Sequence, residues 1–157
     1  VLNAEVLATC AGVPQAVSRI EAFATQHPEM LGGNVMLGDR EQISVTEYFG
    51  GRTRTERLEE GCLVRANHSV FGLIDNRRDG SVQRHEAMAG FVSATHARLD
   101  GLDTATVLAL CRERLRTPPI LQQATRSSFV IHVQSGRVDW CAGAGAWQTF
   151  RFDGSPN

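Results

Sequence analysis

The chain has 157 residues, of which 42% are hydrophobic, and a formal net charge of -1. This length and composition are typical of one globular domain with its own core, so we expect a single domain over residues 1–157. A near-neutral charge without a basic face argues against nucleic acid or an anionic membrane as the partner. All 16 basic residues are arginines, which excludes Schiff-base and Ser-Lys chemistry within this chain.

Two amphipathic helices are predicted first, and Gly12 separates them. Pro14 suits the first turn of the second helix, and His27-Pro28 ends it. Each helix carries one apolar stripe at helical spacing, which is Leu2, Val6, Leu7 and Cys10 in the first (residues 1–10) and Val13, Val17, Ile20 and Ala24 in the second.

Three strands are predicted next, over residues 34–37, 43–49 and 52–58. Ile43 and Val45 share one face of the second strand. The third strand is mostly polar, which favours the edge of a sheet.

A fourth strand is predicted over residues 62–66, because this run is apolar on both faces except at Arg65. It would deliver Asn67 and His68 at its end. The two side chains would point to opposite sides of the strand, and we expect a structural role for His68.

A helix from about Ser81 to Leu99 follows, with Asp79 as its expected cap. Its apolar stripe consists of Met88, Phe91, Val92, Thr95 and Leu99. Extended backwards, this stripe reaches Arg84 and Ser81. An inward-pointing charge costs several kcal/mol unless it is paired or functional. Arg84 is therefore either a buried structural arginine or a functional one, and spacing alone leaves both open.

The last third of the chain predicts one helix and three strands. The helix begins after Asp103 as N-cap, with Val107, Leu110, Cys111 and Leu115 as its stripe. Three arginines near its end, at positions 112, 114 and 116, are either an anion site or solvated partners of the helix dipole, and we favour the second. The strands are expected over residues 129–133, 138–142 and 148–152. The order of elements predicts a layered α+β domain.

The cysteines and histidines predict no metal or cofactor site. The histidines lack the spacing of zinc ligands within one element, and Gly143-x-Gly145 is not followed by a helix. We expect reduced, buried thiols and a cytoplasmic protein, because no CxxC pair occurs among Cys10, Cys62, Cys111 and Cys141.

Four segments together resemble the acyltransferase branch of the N-terminal-nucleophile hydrolases, the relatives of isopenicillin-N acyltransferase and, more distantly, of the choloylglycine hydrolases. They are residues 4–22, the Gly33-Asn34 strand that ends at Asp39, the pattern Asn67-His68, loop, Ser81-x-x-Arg84, and the hairpin of residues 125–143. The resemblance implies part of an αββα sandwich with antiparallel sheets flanked by helices.

The resemblance also implies a chemistry. The nucleophile would be an N-terminal cysteine exposed by self-cleavage, with its own α-amino group as the base. Asn67 would donate to the oxyanion, and Arg84, supported by Ser81, would orient the nucleophile or bind the polar end of the substrate. The substrate would be a small acyl-amide or acyl-thioester, and no cofactor is implied.

The chain begins with Val1, so the nucleophile is expected on a preceding or separate segment, which makes a partner chain and an oligomer expected. An unpaired strand edge and an open apolar sheet face should then be present. Cleavage before Cys62 is a second possible origin of the nucleophile, less favoured because Cys62 comes one predicted strand before Asn67. Two hypotheses compete with an enzyme of this kind: a catalytically inactive binding or assembly module with the same half-fold, and an unrelated α+β protein.

Overall fold

The structure, a computed structural model, describes residues 2–76, 78–99 and 101–151, without the side chains of residue 79 and residues 96–99. The chain divides into two compact units, the first ending at Val82 and the second beginning at Gln83. Helices and antiparallel strands are present in both units, which confirms the α+β class. The αββα sandwich and the single domain stay predictions.

Four helices and six strands are assigned among the described residues. The sheets are antiparallel and three-stranded, in the orders β1-β2-β3 and β4-β5-β6. The elements are α1 (Leu2–Thr9), α2 (Val13–Gln26), β1 (Gly33–Gly38), β2 (Ile43–Phe49), β3 (Arg52–Leu58), α3 (Asp79–Leu99), α4 (Thr104–Leu115), β4 (Ser127–His132), β5 (Arg137–Ala142) and β6 (Gln148–Arg151).

The core of the first unit lies between α1, α2 and one face of the first sheet. The predicted stripe of α2 is confirmed, since Val13, Val17, Ile20 and Ala24 are all buried. Val35 and Leu37 of β1 pack against the cluster around Ile20. The opposite face of this sheet, which carries Glu47, is therefore free to meet later parts of the chain.

The predicted face of α1 is wrong at one position. Leu2 and Cys10 pack against the cluster of Val6, Ala16 and Ile20, whereas Leu7 is 83% exposed. Residue 7 is turned by about 100° from residue 6 on a helix. A stripe of positions 2, 6 and 10 therefore leaves it on the side away from α2.

The turn after β1 caps α2 from outside the helix. The N-cap residue Gly12 has no side-chain cap, and the Asp39 carboxylate accepts from the backbone N–H of Val13 at 2.8 Å instead. Its other oxygen accepts from the N–H groups of Glu41 and Gln42 at 2.9 and 3.0 Å. These bonds, the one from Val13 foremost, lower the pKa of Asp39.

The strand predicted over residues 62–66 is wrong, because the structure has a loop there. Arg65 turns back to pair with Glu56 of β3, and its guanidinium lies 5.0 Å above the Phe71 ring. Within the described ranges no strand pairs with this segment. Cys62 is exposed, so the expectation of a buried thiol is wrong at this residue.

Helix α3 begins two residues before its predicted start. The carbonyl of Arg78 accepts from the N–H groups of Ser81 and Val82, at 2.8 and 3.1 Å. Asp79, the expected cap, is itself the first helical residue, and its side chain lies outside the described part, as does that of Leu99. Of the remaining stripe, Met88, Phe91, Val92 and Thr95 are half-buried.

The second unit contains the predicted α4 and hairpin. Asp103 is confirmed as N-cap, since its Oδ1 accepts from Thr106 N at 3.0 Å. The predicted stripe of α4 is only half-buried, and Leu108 is its buried residue. β4 and β5 pair as expected, and the last strand ends at Arg151 in the described chain, with Phe152 and the tail beyond it outside the description.

The two faces of the second sheet differ in character. Asp139 and Cys141 of β5 are fully buried on one face, whereas Phe129 and Ile131 of β4, on the other face, are 54% and 55% exposed.

Among the described helices, none combines the length and the apolar character needed to cross a membrane.

Candidate functional site

A cleft of about 190 Å³ lies in the first unit. The start of β1 and the end of β2 form one side, and the loop that follows Ala66 forms the other. Its lining residues are Leu31, Gly32, Gly33, Asn34, Glu47, Tyr48, Phe49, Asn67, His68, Ser69, Ile74 and Asn76.

Asn67 lines this cleft and is exposed. Its backbone carbonyl accepts from Asn76 Nδ2 at 3.2 Å. Its side-chain carboxamide makes no hydrogen bond to any described residue. The N–H groups of this side chain are therefore available to donate to a ligand oxygen, which is what an oxyanion donor needs.

His68 and Ser81 form a buried pair behind Asn67. They are 4% and 6% exposed, and His68 Nδ1 lies 3.0 Å from Ser81 Oγ. Ser81, expected to support Arg84, thus also ties the first turn of α3 to the residue after Asn67. A buried imidazole in this position agrees with the structural role expected for His68.

Arg84 belongs to the second unit, where it is half-buried. Its Nη1 donates to Gln122 Oε1 at 3.1 Å. Because this amide oxygen is neutral, the contact itself does not neutralise the positive charge of the guanidinium. The roles of Asn67, Ser81 and Arg84 in catalysis stay predictions.

Sequence analysis missed Glu47, the buried carboxylate of the cleft. It is 3% exposed and accepts from the Ser69 hydroxyl and from the backbone N–H groups of Val70 and Phe71, the latter at 2.9 and 3.2 Å. A signal for it was present, since strand alternation places residue 47 on the face of Ile43 and Val45. An acidic residue on that apolar face predicts a buried carboxylate with hydrogen-bond donors around it.

Two asparagines were also missed. Asn34 pairs with Glu47 across β1 and β2, and its Nδ2 donates to the carbonyl of Ala66 at 3.0 Å. Asn76 Oδ1 accepts from Ser69 N at 2.7 Å. Both side chains thus hold backbone groups next to Asn67, through contacts that join residues distant in the sequence.

The three arginines of α4 have partners inside the second unit. Arg112 Nη1 lies 3.6 Å from Asp139 Oδ2, and Arg114 Nη2 donates to the carbonyl of Ala87 at 2.6 Å. Arg116 donates to the carbonyls of Ala144 and Gly145. The favoured expectation of solvated side chains is therefore wrong at Arg112 and Arg114, which are half-buried, whereas Arg116 is exposed as expected.

Asp139 is the most buried carboxylate of the second unit, at 0% exposure. Burial opposes its ionisation, but hydrogen bonds from Arg137 and Thr149 and the charges of Arg137 and Arg112 outweigh this and lower its pKa. The carboxylate is therefore ionised at neutral pH and joins α4, β5 and β6.

The described residues contain no group of three His, Cys, Asp or Glu side chains that could hold a metal ion. Comparison with protein-family models, curated proteins and solved structures gives no match for this chain.

Proposed function

We propose that the chain is the C-terminal portion of a cysteine N-terminal-nucleophile amidohydrolase or acyltransferase. The observation that supports this is the unpartnered Asn67 carboxamide on the wall of a small cleft, in a segment that resembles the family's. The nucleophile of this enzyme would be a cysteine on a preceding or separate segment, exposed by self-cleavage.

The reaction would be acyl transfer in two steps. The cysteine sulfur attacks the carbonyl carbon of the acyl-amide or acyl-thioester while its α-amino group takes the thiol proton. Asn67 Nδ2 donates to the oxyanion that forms, and collapse expels the amine or thiol, which takes the proton back. Water or an amine then attacks the resulting thioester and releases the acyl group.

The remaining site residues would orient the reacting groups. Arg84 would hold the nucleophile or the polar end of the substrate with its planar, always-charged guanidinium. Ser81 lies three residues before Arg84 in α3, so the two side chains share a face of the helix. Under the proposal, Ser81 would support Arg84 from this shared face.

The cleft suggests the size and character of the acyl group. Leu31, Phe49 and Ile74 add apolar surface to the lining of the cleft, beside its polar side chains. A cleft of about 190 Å³ favours a small acyl group. The four cysteines form no disulfide bond, which agrees with the reducing, cytoplasmic location that is part of the proposal.

Intact-mass spectrometry of the complete protein tests this proposal. We expect incubation with a small acyl-thioester to add one acyl mass to a peptide that begins with cysteine, and hydroxylamine to remove it. Absence of any thiol-dependent acylation across a series of acyl-thioesters and acyl-amides would contradict the proposal.

A catalytically inactive binding or assembly module is the second candidate. The exposed Phe129 and Ile131 on β4 favour it, because exposed apolar side chains on one sheet face are typical of a surface that another chain covers. A native species of this mass alone, without an acylated cysteine, would favour this module over the enzyme.

A further inference from the structure

One rung of the first sheet faces the loop that carries Asn67. Asn34 and Glu47 are paired across β1 and β2, so their side chains project from the same face of the sheet. Asn34 bonds the carbonyl of Ala66, the residue before Asn67. Glu47 bonds the groups of residues 69–71, just after His68. The cross-strand pair of Asn34 and Glu47 therefore holds the chain on both sides of Asn67-His68.

Glu47 makes the larger contribution to this hold. Its carboxylate is buried and has three donors, the Ser69 hydroxyl and the N–H groups of Val70 and Phe71. Ser69 Oγ in turn accepts from Leu73 N at 2.8 Å. The hydrogen bonds of the buried Glu47 carboxylate all come from this loop, so the burial of the carboxylate and the conformation of the loop depend on each other.

We propose that Glu47 is a positioning residue that fixes the backbone on either side of Asn67 and so sets where its carboxamide enters the cleft, with Asn34 and Asn76 completing the hold. The catalytic consequence rests on the proposed function, which assigns that carboxamide to the oxyanion. A donor of this kind stabilises a transition state only when its place is fixed before the reaction. A displacement of about 1 Å lowers such a rate by about 100-fold.

Substitutions of Glu47 in the complete protein test the proposal. Glu47→Ala leaves three donors without their acceptor, and we expect kcat to fall about 10- to 100-fold with KM nearly unchanged, because the affected contact forms in the transition state. Glu47→Gln keeps an oxygen for the two backbone N–H groups and offers N–H to Ser69 Oγ. It should therefore restore kcat to within about fivefold of the wild type.

A double-mutant cycle with Asn67→Ala separates positioning from general damage. If Glu47 acts through Asn67, Glu47→Ala lowers kcat by less than about twofold in the Asn67→Ala background. An equal loss in both backgrounds would overturn the proposal. Glu59→Ala is the matched control, since Glu59 is an exposed glutamate in the same unit, and it should leave kcat unchanged.

Side-chain ¹⁵N relaxation of the Asn67 carboxamide gives a readout that needs no turnover. Glu47→Ala should increase its motion and Ser69→Ala should do so to a smaller extent, which keeps the test open if Glu47→Ala does not fold. A carboxamide that moves as in the wild type in Ser69→Ala, and in Glu47→Ala where that variant folds, would overturn positioning. A loosened carboxamide together with full activity of Asn67→Ala would instead support positioning and contradict the proposed function.

Discussion

Several buried or half-buried polar side chains of this protein satisfy backbone groups of a different element. Asp39 accepts from the first N–H of α2, Glu47 from two N–H groups of the loop after His68, and Asn76 from that of Ser69. A backbone group left without a partner away from water costs about 1–3 kcal/mol. These three residues therefore fix where helix α2 and the Asn67 loop begin.

Replacing Asp39 with alanine should destabilise the protein in a pH-dependent way. The pKa of Asp39 is lowered in the folded state, so its contribution is fully present above the unfolded-state value of about 3.9 and is lost as the pH falls through the folded-state value. We expect Asp39→Ala to lower the free energy of unfolding by about 1–2 kcal/mol at pH 7 and by less in acid. Urea unfolding at several pH values measures this.

Asp75→Ala is the matched control for that experiment, because Asp75 is an exposed aspartate of the same unit. Its substitution should change the free energy of unfolding little at any pH. A difference between Asp39→Ala and the wild type that stays constant from neutral to strongly acidic pH would show that the ionised Asp39 carboxylate contributes nothing.

At the scale of elements, the sequence predicts the helix faces, caps and strand pairs that follow from local patterns. The stripe of α2, the cap at Asp103 and the pairing of β4 with β5 follow from local patterns and are confirmed. The strand predicted over residues 62–66 is not confirmed, because a short apolar run has the same composition in a buried strand and in a covered loop. In the structure this segment is a loop, and the side chain of Arg65 pairs with Glu56 of β3.

The candidate site also contains some residues that a local pattern predicts and others that it does not. Asn67 and Ser81 could be named from a local pattern that resembles a family's. Strand alternation indicates a buried Glu47, but its partners could not be named, because the bond from Ser69 to its carboxylate joins residues 22 positions apart. Only the tertiary fold brings that loop over β2.

Asp139 couples three elements of the second unit, and replacing it tests that coupling. Asp139→Asn removes the charge that faces Arg137 and Arg112, whose side chains are 32% and 28% exposed. We expect a loss of about 2 kcal/mol in the free energy of unfolding, less than for a fully buried pair because solvent screens the guanidinium groups. Thermal unfolding of this variant measures the loss.

A double-mutant cycle identifies the partner of Asp139. In an Arg137→Met background the effect of Asp139→Asn should be smaller, because one of its two charges is already absent. The pKa of Asp139 is lowered in the fold, so its contribution should also decrease as the pH falls through that value. Additive effects of the two substitutions would contradict the coupling.

At the scale of the whole molecule, the chain contains two compact units, each with its own three-stranded sheet. Length and composition alone predict one domain, since they report the amount of core and not its distribution. The exposed Phe129 and Ile131 on β4 agree with the expectation of an open apolar sheet face.

Ile20→Ala tests whether the units unfold separately. Ile20 is 1% exposed in the core of the first unit, and its truncation should cost about 2–4 kcal/mol there. We expect amide hydrogen exchange to increase in α1, α2 and β1–β3, with little change in β4–β6. An equal increase in both sheets would show that the chain unfolds as one cooperative domain.

The rate of cysteine acylation in a single turnover, measured by quenched-flow mass spectrometry on the complete protein, tests the central claim most directly. The comparison is between Asn67→Ala and Asn3→Ala, a control that removes an exposed carboxamide from α1, outside the cleft. If Asn67 donates to the oxyanion, its removal should slow acylation by about 100- to 1,000-fold, while Asn3→Ala matches the wild type. A rate for Asn67→Ala within a few-fold of the wild type would contradict the account.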